Sequence, residues 1–365
     1  MSELKEIPDK PLRTGYTTGA CATACVKGAL TALFTQEKQE KTSVLLPIGE
    51  EATFYLKDIE FTKQKSACTT VKDAGDDPDV THLAEITAMV ELNDSKEVIF
   101  KRGEGVGLVT LPGLEIPIGE PAINPVPRKM MTTVVHKLLS DYNKENYGVT
   151  VTLSVKDGEK IAKKTLNSRL GILHGISILG TSGIVTPFSA ASYIASIQQG
   201  IDVAIANGAS ELLINSGARS EKMLRQLFPN MSETACIHYG NWVQQTFEKI
   251  AISPAIKTVH MGIMLGKAAK LAEGNLDTHS GKTTWNKEFI ASIATEAGYP
   301  EEKVNAILSL NMAGRLRELF NFVPQEAFYQ SLLNYCFKHC SHIATNVDLN
   351  LYLIGNDGRH IKYLG

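Results

Sequence analysis

An excess of one sign of charge is the first thing this chain lacks. Its 37 Lys and Arg nearly cancel its 39 Asp and Glu, leaving a formal net charge of −2 over 365 residues. No overall field would draw nucleic acid or an anionic membrane, so neither is expected as a partner. No run approaches the ~18 uninterrupted apolar residues of a spanning helix. The opening Met1–Glu6 lacks the basic-then-apolar order of a signal peptide, and a cytoplasmic protein is expected. Cysteine is scarce: six residues, no CxxC, hence no disulfide framework. Cys21/Cys25 and Cys336/Cys340 are each spaced to share a helix face. His339 and His342 lend the second pair the look of half a metal site. A structural zinc wants four ligands at tighter spacing, so these thiols read as small buried residues and no protein-bound metal is expected. Internal repeats and low-complexity tracts are also missing.

What is present is enough apolar residue, 43%, for a substantial core in roughly two domains. Thr17-Thr18-Gly19 opens a helix from Ala20 to about Phe34, with Thr18 as expected N-cap. Short strands follow at 43–46, 53–56, 67–72, 86–92 and 98–102, then a helix from near Pro127 to Tyr142 and a strand over 149–155. This half reads as an α+β layer. From Gly171 the pattern changes to strand, glycine turn, helix: Ile176–Leu179 then Gly180, Glu211–Asn215 before a turn, Thr258–Met264 before a Lys/Ala helix. That alternation predicts a parallel sheet. The expected architecture is therefore a two-domain α/β protein. An N-terminal α+β layered domain spans 1–170, and a C-terminal Rossmann-like parallel α/β domain spans 171–365. A final hairpin turns at Asn356-Asp357-Gly358 and is left free to return to the first domain.

Five segments carry candidate chemistry. Arg13 to Ala20 leads into a helix start, where free N–H groups attract anions and the Thr17 and Thr18 hydroxyls add donors. It lacks the Gly-Lys-Ser/Thr ending of a phosphate loop. Asp73 to His82 packs four carboxylates and an imidazole into ten residues. Crowding of that kind is costly unless the groups bind a cation, cap amides or handle protons; a purely structural Asp-Pro turn is the competing reading. Gly103-Glu104-Gly105-Val106-Gly107 resembles a phosphate loop, but no helix follows it. Pro117 to Arg128 is stiffened by four prolines and presents Glu120, Asn124 and Arg128. Last, Gly180-Thr181-Ser182-Gly183, Asn215-Ser216-Gly217-Ala218-Arg219 and His260–Lys267 all fall at expected carboxyl ends of parallel strands, where open α/β sheets bind ligands. Three such turns point to a nucleotide-type cofactor. The acidic-Gly-x-Gly-x-Gly turn of common methyltransferases is not among them.

At these segments the chain resembles the cobalt-precorrin-5B (carbon-1) methyltransferase family of oxygen-independent cobalamin biosynthesis. The resemblance is carried by Gly15–Gly19, Gly75–His82, Gly119–Arg128, Gly175–Val185 and Asp277–Ser280, in family order. Leu83 stands where the family pattern leads one to expect glycine, and so does His174; Tyr239–Trp242 matches only loosely. The resemblance implies S-adenosylmethionine as methyl donor, cobalt-precorrin-5B as acceptor and cobalt-precorrin-6A as product, with cobalt arriving inside the substrate. On the residues, the donor is expected at Gly180, Thr181, Gly183, Asn215, Gly217 and Arg219. The corrinoid is expected on the first domain at Arg13, Thr17, Thr18, Asp76, Asp79, Glu120, Asn124 and Arg128. His82 and Asp77 are the expected catalytic pair, His82 exchanging a proton. Two rivals stay open: a non-catalytic corrinoid carrier, and a phosphate-using α/β enzyme. A homo-oligomer is also left open.

Overall fold

A computed structural model describes residues 11–279 and 284–365. The chain divides into two compact units between Ser189 and Ala190, further along than the boundary expected near 170. No helix among the described residues is long and apolar enough to cross a membrane.

In the N-terminal unit the two-residue β1 (Gly15–Tyr16) leads into α1 (Thr18–Thr35). Thr17, not Thr18, is the N-cap: its Oγ accepts the Ala20 N–H at 3.1 Å. Fourteen of the 18 residues of α1 are buried. Its small Ala, Gly, Cys and Thr side chains permit this, since a helix apolar all round belongs inside. Hairpin strands β2 (Lys41–Leu45) and β3 (Glu51–Tyr55) follow. The main sheet is formed by β4 (Asp58–Phe61), β5 (Lys65–Val71), β6 (Glu85–Asn93), β7 (Val98–Arg102) and β9 (Gly148–Val155), in the order β4-β5-β6-β9-β7. Ile86, Ala88 and Val90 alternate inward on β6, all fully buried, opposite Val155, Leu153 and Val151 of β9. α1 packs on the sheet and α2 (Pro125–Asp141) packs against α1, and α3 (Gly158–Ala162) is a single turn. Two short pairings close the unit: β8 (Leu108–Val109) with β10 (Ile172–Leu173), and β1 with β11 (Ile184–Val185).

Here the sequence reading needs a correction. Ile176–Leu179 is not the first strand of the parallel sheet. It is threaded into the N-terminal unit by isolated bridges, Val106 with Ile176 and Ile123 with Ile178. A short apolar run at a glycine looks the same whether it joins a parallel sheet or an irregular crossing.

The C-terminal unit holds α4 (Ala190–Ala206), β12 (Glu211–Asn215), α5 (Ala218–Leu227), β13 (Cys236–His238), α6 (Val243–Ala251), β14 (Thr258–Met264) and α7 (Leu265–Ala272). The helices α8 (Lys287–Glu296), α9 (Glu301–Leu308), α10 (Leu316–Leu319) and α11 (Ala327–Ile343) precede β15 (Asp348–Ile354) and β16 (His360–Lys362). The sheet runs β13-β12-β14-β15-β16, parallel except for β16. The terminal hairpin therefore completes this sheet and does not return to the first unit. Leu212, Ile214, Val259, Met261, Ile263, Leu351 and Leu353 form its buried centre. Cys336 and Cys340 are buried thiols on α11, and Cys336 Sγ donates to the Ala268 carbonyl at 3.3 Å.

Candidate functional site

Three segments far apart in sequence meet at the start of α1. Gly15 lies so close to the Ala74–Gly75 backbone that a Cβ would sit 2.0 Å from the Ala74 carbonyl carbon. Gly75 answers from the other side: its φ is +67° and a Cβ would meet the Arg13 oxygen at 2.2 Å. Only glycine permits such an approach. The interlock is stitched by Tyr16 N–H to the Asp73 carbonyl at 2.7 Å and Asp76 N–H to the Arg13 carbonyl at 2.9 Å. The third segment docks on α1 itself. Gly19 N–H donates to the Leu179 carbonyl, Thr17 N–H to that of Gly183, and Thr18 Oγ accepts the Leu179 N–H at 2.9 Å.

The acidic turn is far less crowded electrically than its sequence implies. Arg13 forks onto Asp73 at 2.5 and 3.0 Å, and the Arg13 N–H reaches Asp76 at 2.8 Å. The Arg13 guanidinium draws the Asp73 carboxyl below its usual range. Asp79 is held by Lys72 at 2.7 Å and by the Thr81 N–H and hydroxyl at 2.7 and 2.6 Å. Burial alone would raise the Asp79 carboxyl, but Lys72 and Thr81 together outweigh it and the net direction is down. Lys72 is only 1% exposed, and nothing in the sequence marked it as important. Asp77 differs. Its Oδ1 accepts the Phe188 N–H at 2.8 Å, and burial pushes its pKa up. His82 Nδ1 accepts the Ala74 N–H at 3.1 Å, which leaves the ring proton of the neutral form on Nε2. Among the described residues, no three His, Cys, Asp or Glu side chains gather as a metal site would require.

Several predicted substrate residues are engaged internally. The buried Thr17 and Thr18 hydroxyls cap and staple α1. Arg128 clamps the proline loop, reaching Glu120 at 3.1 Å and the carbonyls of Ile123 and Pro121 at 2.9 and 3.2 Å, with Phe100 under its guanidinium. Asn124 is the N-cap of α2, tied by its N–H to the Ile178 carbonyl, with no capping bond from its side chain. The glycines of 103–107 are tightly packed: a Cβ on Gly105 would meet the Val155 oxygen at 2.0 Å and one on Gly107 the Ile172 side chain at 2.3 Å. They form a crossing, not a phosphate loop.

The six residues expected to hold the donor fall in different units. Gly180, Thr181 and Gly183 lie beside Thr17 in the N-terminal unit. Gly180 has φ +132°, and a Cβ there would strike the Thr17 side chain at 2.4 Å. Asn215, Gly217 and Arg219 lie in the C-terminal unit, at the carboxyl end of β12 and the first turn of α5. There the chain leaves β12 for β13 on one side and later returns to β14 on the other, so strand order reverses between β12 and β14. That reversal is the ligand-binding crevice of an open α/β sheet. Asn215 is fully buried, with Oδ1 accepting the Gly217 N–H at 3.1 Å. Gly217 (φ +155°, ψ −178°) has a backbone open to almost no other residue, and a Cβ on it would meet nothing within 4 Å. Past the ends of β13 and β14 opens a pocket of about 400 Å³ lined by Asn241, Lys267, Lys270, Thr278 and Trp285, among others. Of these, Lys267 and Thr278 lay inside segments singled out from sequence and Asn241 in the loosely matching Tyr239–Trp242; Lys270 and Trp285 carried no signal.

Comparison with known proteins agrees with the motifs. Residues 5–187 match the CbiD family, and residues 277–363 match the CbiD C-terminal domain. A cobalt-precorrin-5B C(1)-methyltransferase of Priestia megaterium is 43% identical over 97% of both chains. The protein of that name from Geobacillus sp. (strain WCH70) is 45% identical over 90% of this chain and 89% of its own. A crystal structure of the cobalamin biosynthesis protein (cbiD) from Archaeoglobus fulgidus shares 27% identity over 74% of this chain and 83% of its own, with a TM-score of 0.40. That superposition is loose, and the assignment rests on the sequence relatives. With matches running through both units, the chain belongs to the CbiD family of cobalt-precorrin-5B C(1)-methyltransferases.

Proposed function

We propose that this protein is a cytoplasmic methyltransferase of cobalamin biosynthesis that moves a methyl group from S-adenosylmethionine to ring carbon-1 of cobalt-precorrin-5B, giving cobalt-precorrin-6A. The observation that carries the reading is near end-to-end similarity to enzymes named for this reaction. The crevice at the β12/β14 reversal supports a donor site on the C-terminal unit, because it pairs a half-buried glycine with open space over it and a pocket of small-molecule size.

Bound S-adenosylmethionine supplies an electrophilic methyl group. The methyl–sulfur bond breaks as a carbon–carbon bond forms at carbon-1, and the ring system then releases a proton. The chain's own residues must align acceptor and donor in line, exclude water and take that proton. Asp77 and His82 are the groups of the N-terminal unit suited to the last task. The Arg13 guanidinium secures Asp73 and Lys72 secures Asp79, while Asp76 and Asp77 accept backbone N–H groups, of Arg13 and Phe188, with no cationic partner at bonding distance. Burial pushes the Asp77 pKa up, which makes it a better proton acceptor than an ordinary carboxylate. The test is transfer of label from methyl-labelled donor to the macrocycle by purified protein. A folded protein that binds both ligands and transfers no label favours the non-catalytic carrier instead.

A further inference from the structure

The pocket beside β13 and β14 contains a cation without a carboxylate and a hydroxyl without a hydrogen-bond partner. Lys267 is a half-buried lysine on α7. Its Nζ donates to the Gly240 carbonyl at 2.6 Å and the Ser216 carbonyl at 3.3 Å, and no described carboxylate pairs with it. Burial, with Lys270 close by, pulls its pKa down to about 8. Lys270 lies one helical turn on, on the same face, and donates to the Thr278 carbonyl at 3.4 Å. Thr278 is 1% exposed, held in place by its N–H to the Asn241 carbonyl at 3.1 Å. Its Oγ is buried without any hydrogen-bond partner. Leaving such a hydroxyl unpaired is costly, and native proteins seldom do so without a functional reason.

A half-buried cation without a carboxylate and a buried hydroxyl without an acceptor both lack the same thing, an anion. The remaining lining selects among anions. Trp285, Met264 and Met312 make much of the wall apolar, and no arginine fork is present. A carboxylate on a larger, partly apolar ligand fits these surroundings better than a free phosphate. We propose that this pocket is a carboxylate-binding site in which the Lys267 ammonium and the Thr278 hydroxyl hold a carboxylate beside the Trp285 ring. Resting on the function proposed above, two ligands could bring that carboxylate: the amino-acid end of the adenosyl donor, or a side arm of the macrocycle.

Calorimetric titration of the whole protein separates these sources and tests the site. The probes are S-adenosylhomocysteine, methylthioadenosine (which lacks the amino-acid end), cobalt-precorrin-5B, and succinate as a bare carboxylate. The expected result is that Thr278→Val weakens S-adenosylhomocysteine at least tenfold and methylthioadenosine hardly at all, the scale of a hydrogen bond to a charged group. Lys267→Met should weaken it further. Because the hydroxyl has no partner in the unliganded protein, Thr278→Val should keep or raise the melting temperature, which a merely structural role would not allow. If the variants instead spare S-adenosylhomocysteine and weaken the macrocycle tenfold, the site stands and the carboxylate is the macrocycle's. If the wild type binds neither large ligand yet binds succinate in a Lys267-dependent way, the site stands and the functional reading fails. Unchanged affinity for every probe in folded Thr278→Val and Lys267→Met overturns the proposal.

Discussion

Replacing Lys72 by Met removes the charge that organises the acidic turn and keeps the apolar stem in place. Lys72 is 1% exposed, and its partner Asp79 has a side chain 24% exposed. Deleting one partner of a buried ion pair costs about 3–5 kcal/mol, because the other charge is left uncompensated. Asp79 keeps the Thr81 N–H and hydroxyl and touches solvent, so the cost here falls to about 2–3 kcal/mol. For a unit of this size that lowers the melting temperature by about 4–12 °C. Adding Asp79→Asn to Lys72→Met should restore much of the loss, since the stranded charge goes with it. The pH dependence has a definite sign. The Asp79 pKa is lowered in the folded state, so the pair's contribution is present above the unfolded carboxyl value, near 4, and is lost as pH falls further. Calorimetric melting of wild type and Lys72→Met should therefore differ most near pH 7 and converge toward pH 3. A variant that melts within 1 °C of wild type at pH 7 refutes the view that Lys72 holds this turn.

Leu83 has φ +63° and is 65% exposed, so it bears a left-handed backbone with little burial to offset it. Leu83→Gly should raise stability by up to about 1 kcal/mol, the strain relieved exceeding the added freedom of the unfolded chain; denaturant melts showing a loss would contradict this. His82→Ala should lower turnover by about two orders of magnitude with both ligands still bound. Full turnover with a lower melting temperature means instead that the ring only caps the Ala74 amide. Gly217→Val should abolish donor binding by filling the open space over the β12 turn while the protein stays folded, and unchanged donor affinity on calorimetry would move the donor elsewhere.

Regular elements were legible in the sequence wherever their period was clean. Strands over 98–102, 211–215 and 258–264 carry strong alternation or apolar runs and appear at those limits. The three-residue strand Cys236–His238 and the parallel role of Asp348–Ile354 were not legible, because pairing partners are set by topology and not by local pattern. The same blindness misplaced Ile176–Leu179, and with it one of the three glycine turns, the one that carries Gly180, Thr181 and Gly183. Polar groups were harder to read. Sequence shows that Asp73, Asp76, Asp77 and Asp79 are crowded, but not that Arg13 and Lys72 neutralise two of them, Asp73 and Asp79. It shows Arg128 and Thr18 as donors, but not that backbone carbonyls already occupy them. Two departures from the family pattern were informative: both Leu83 and His174, standing where glycine was expected, adopt positive φ.

The most direct measurement of the central claim is where the methyl group goes. Purified protein is incubated with S-adenosylmethionine carrying a carbon-13 methyl and with cobalt-precorrin-5B, and the corrinoid product is analysed by carbon NMR. The account predicts one new labelled methyl on ring carbon-1 and a stoichiometric amount of S-adenosylhomocysteine. Label at another ring position, or none in a folded protein that binds both reactants, would contradict it.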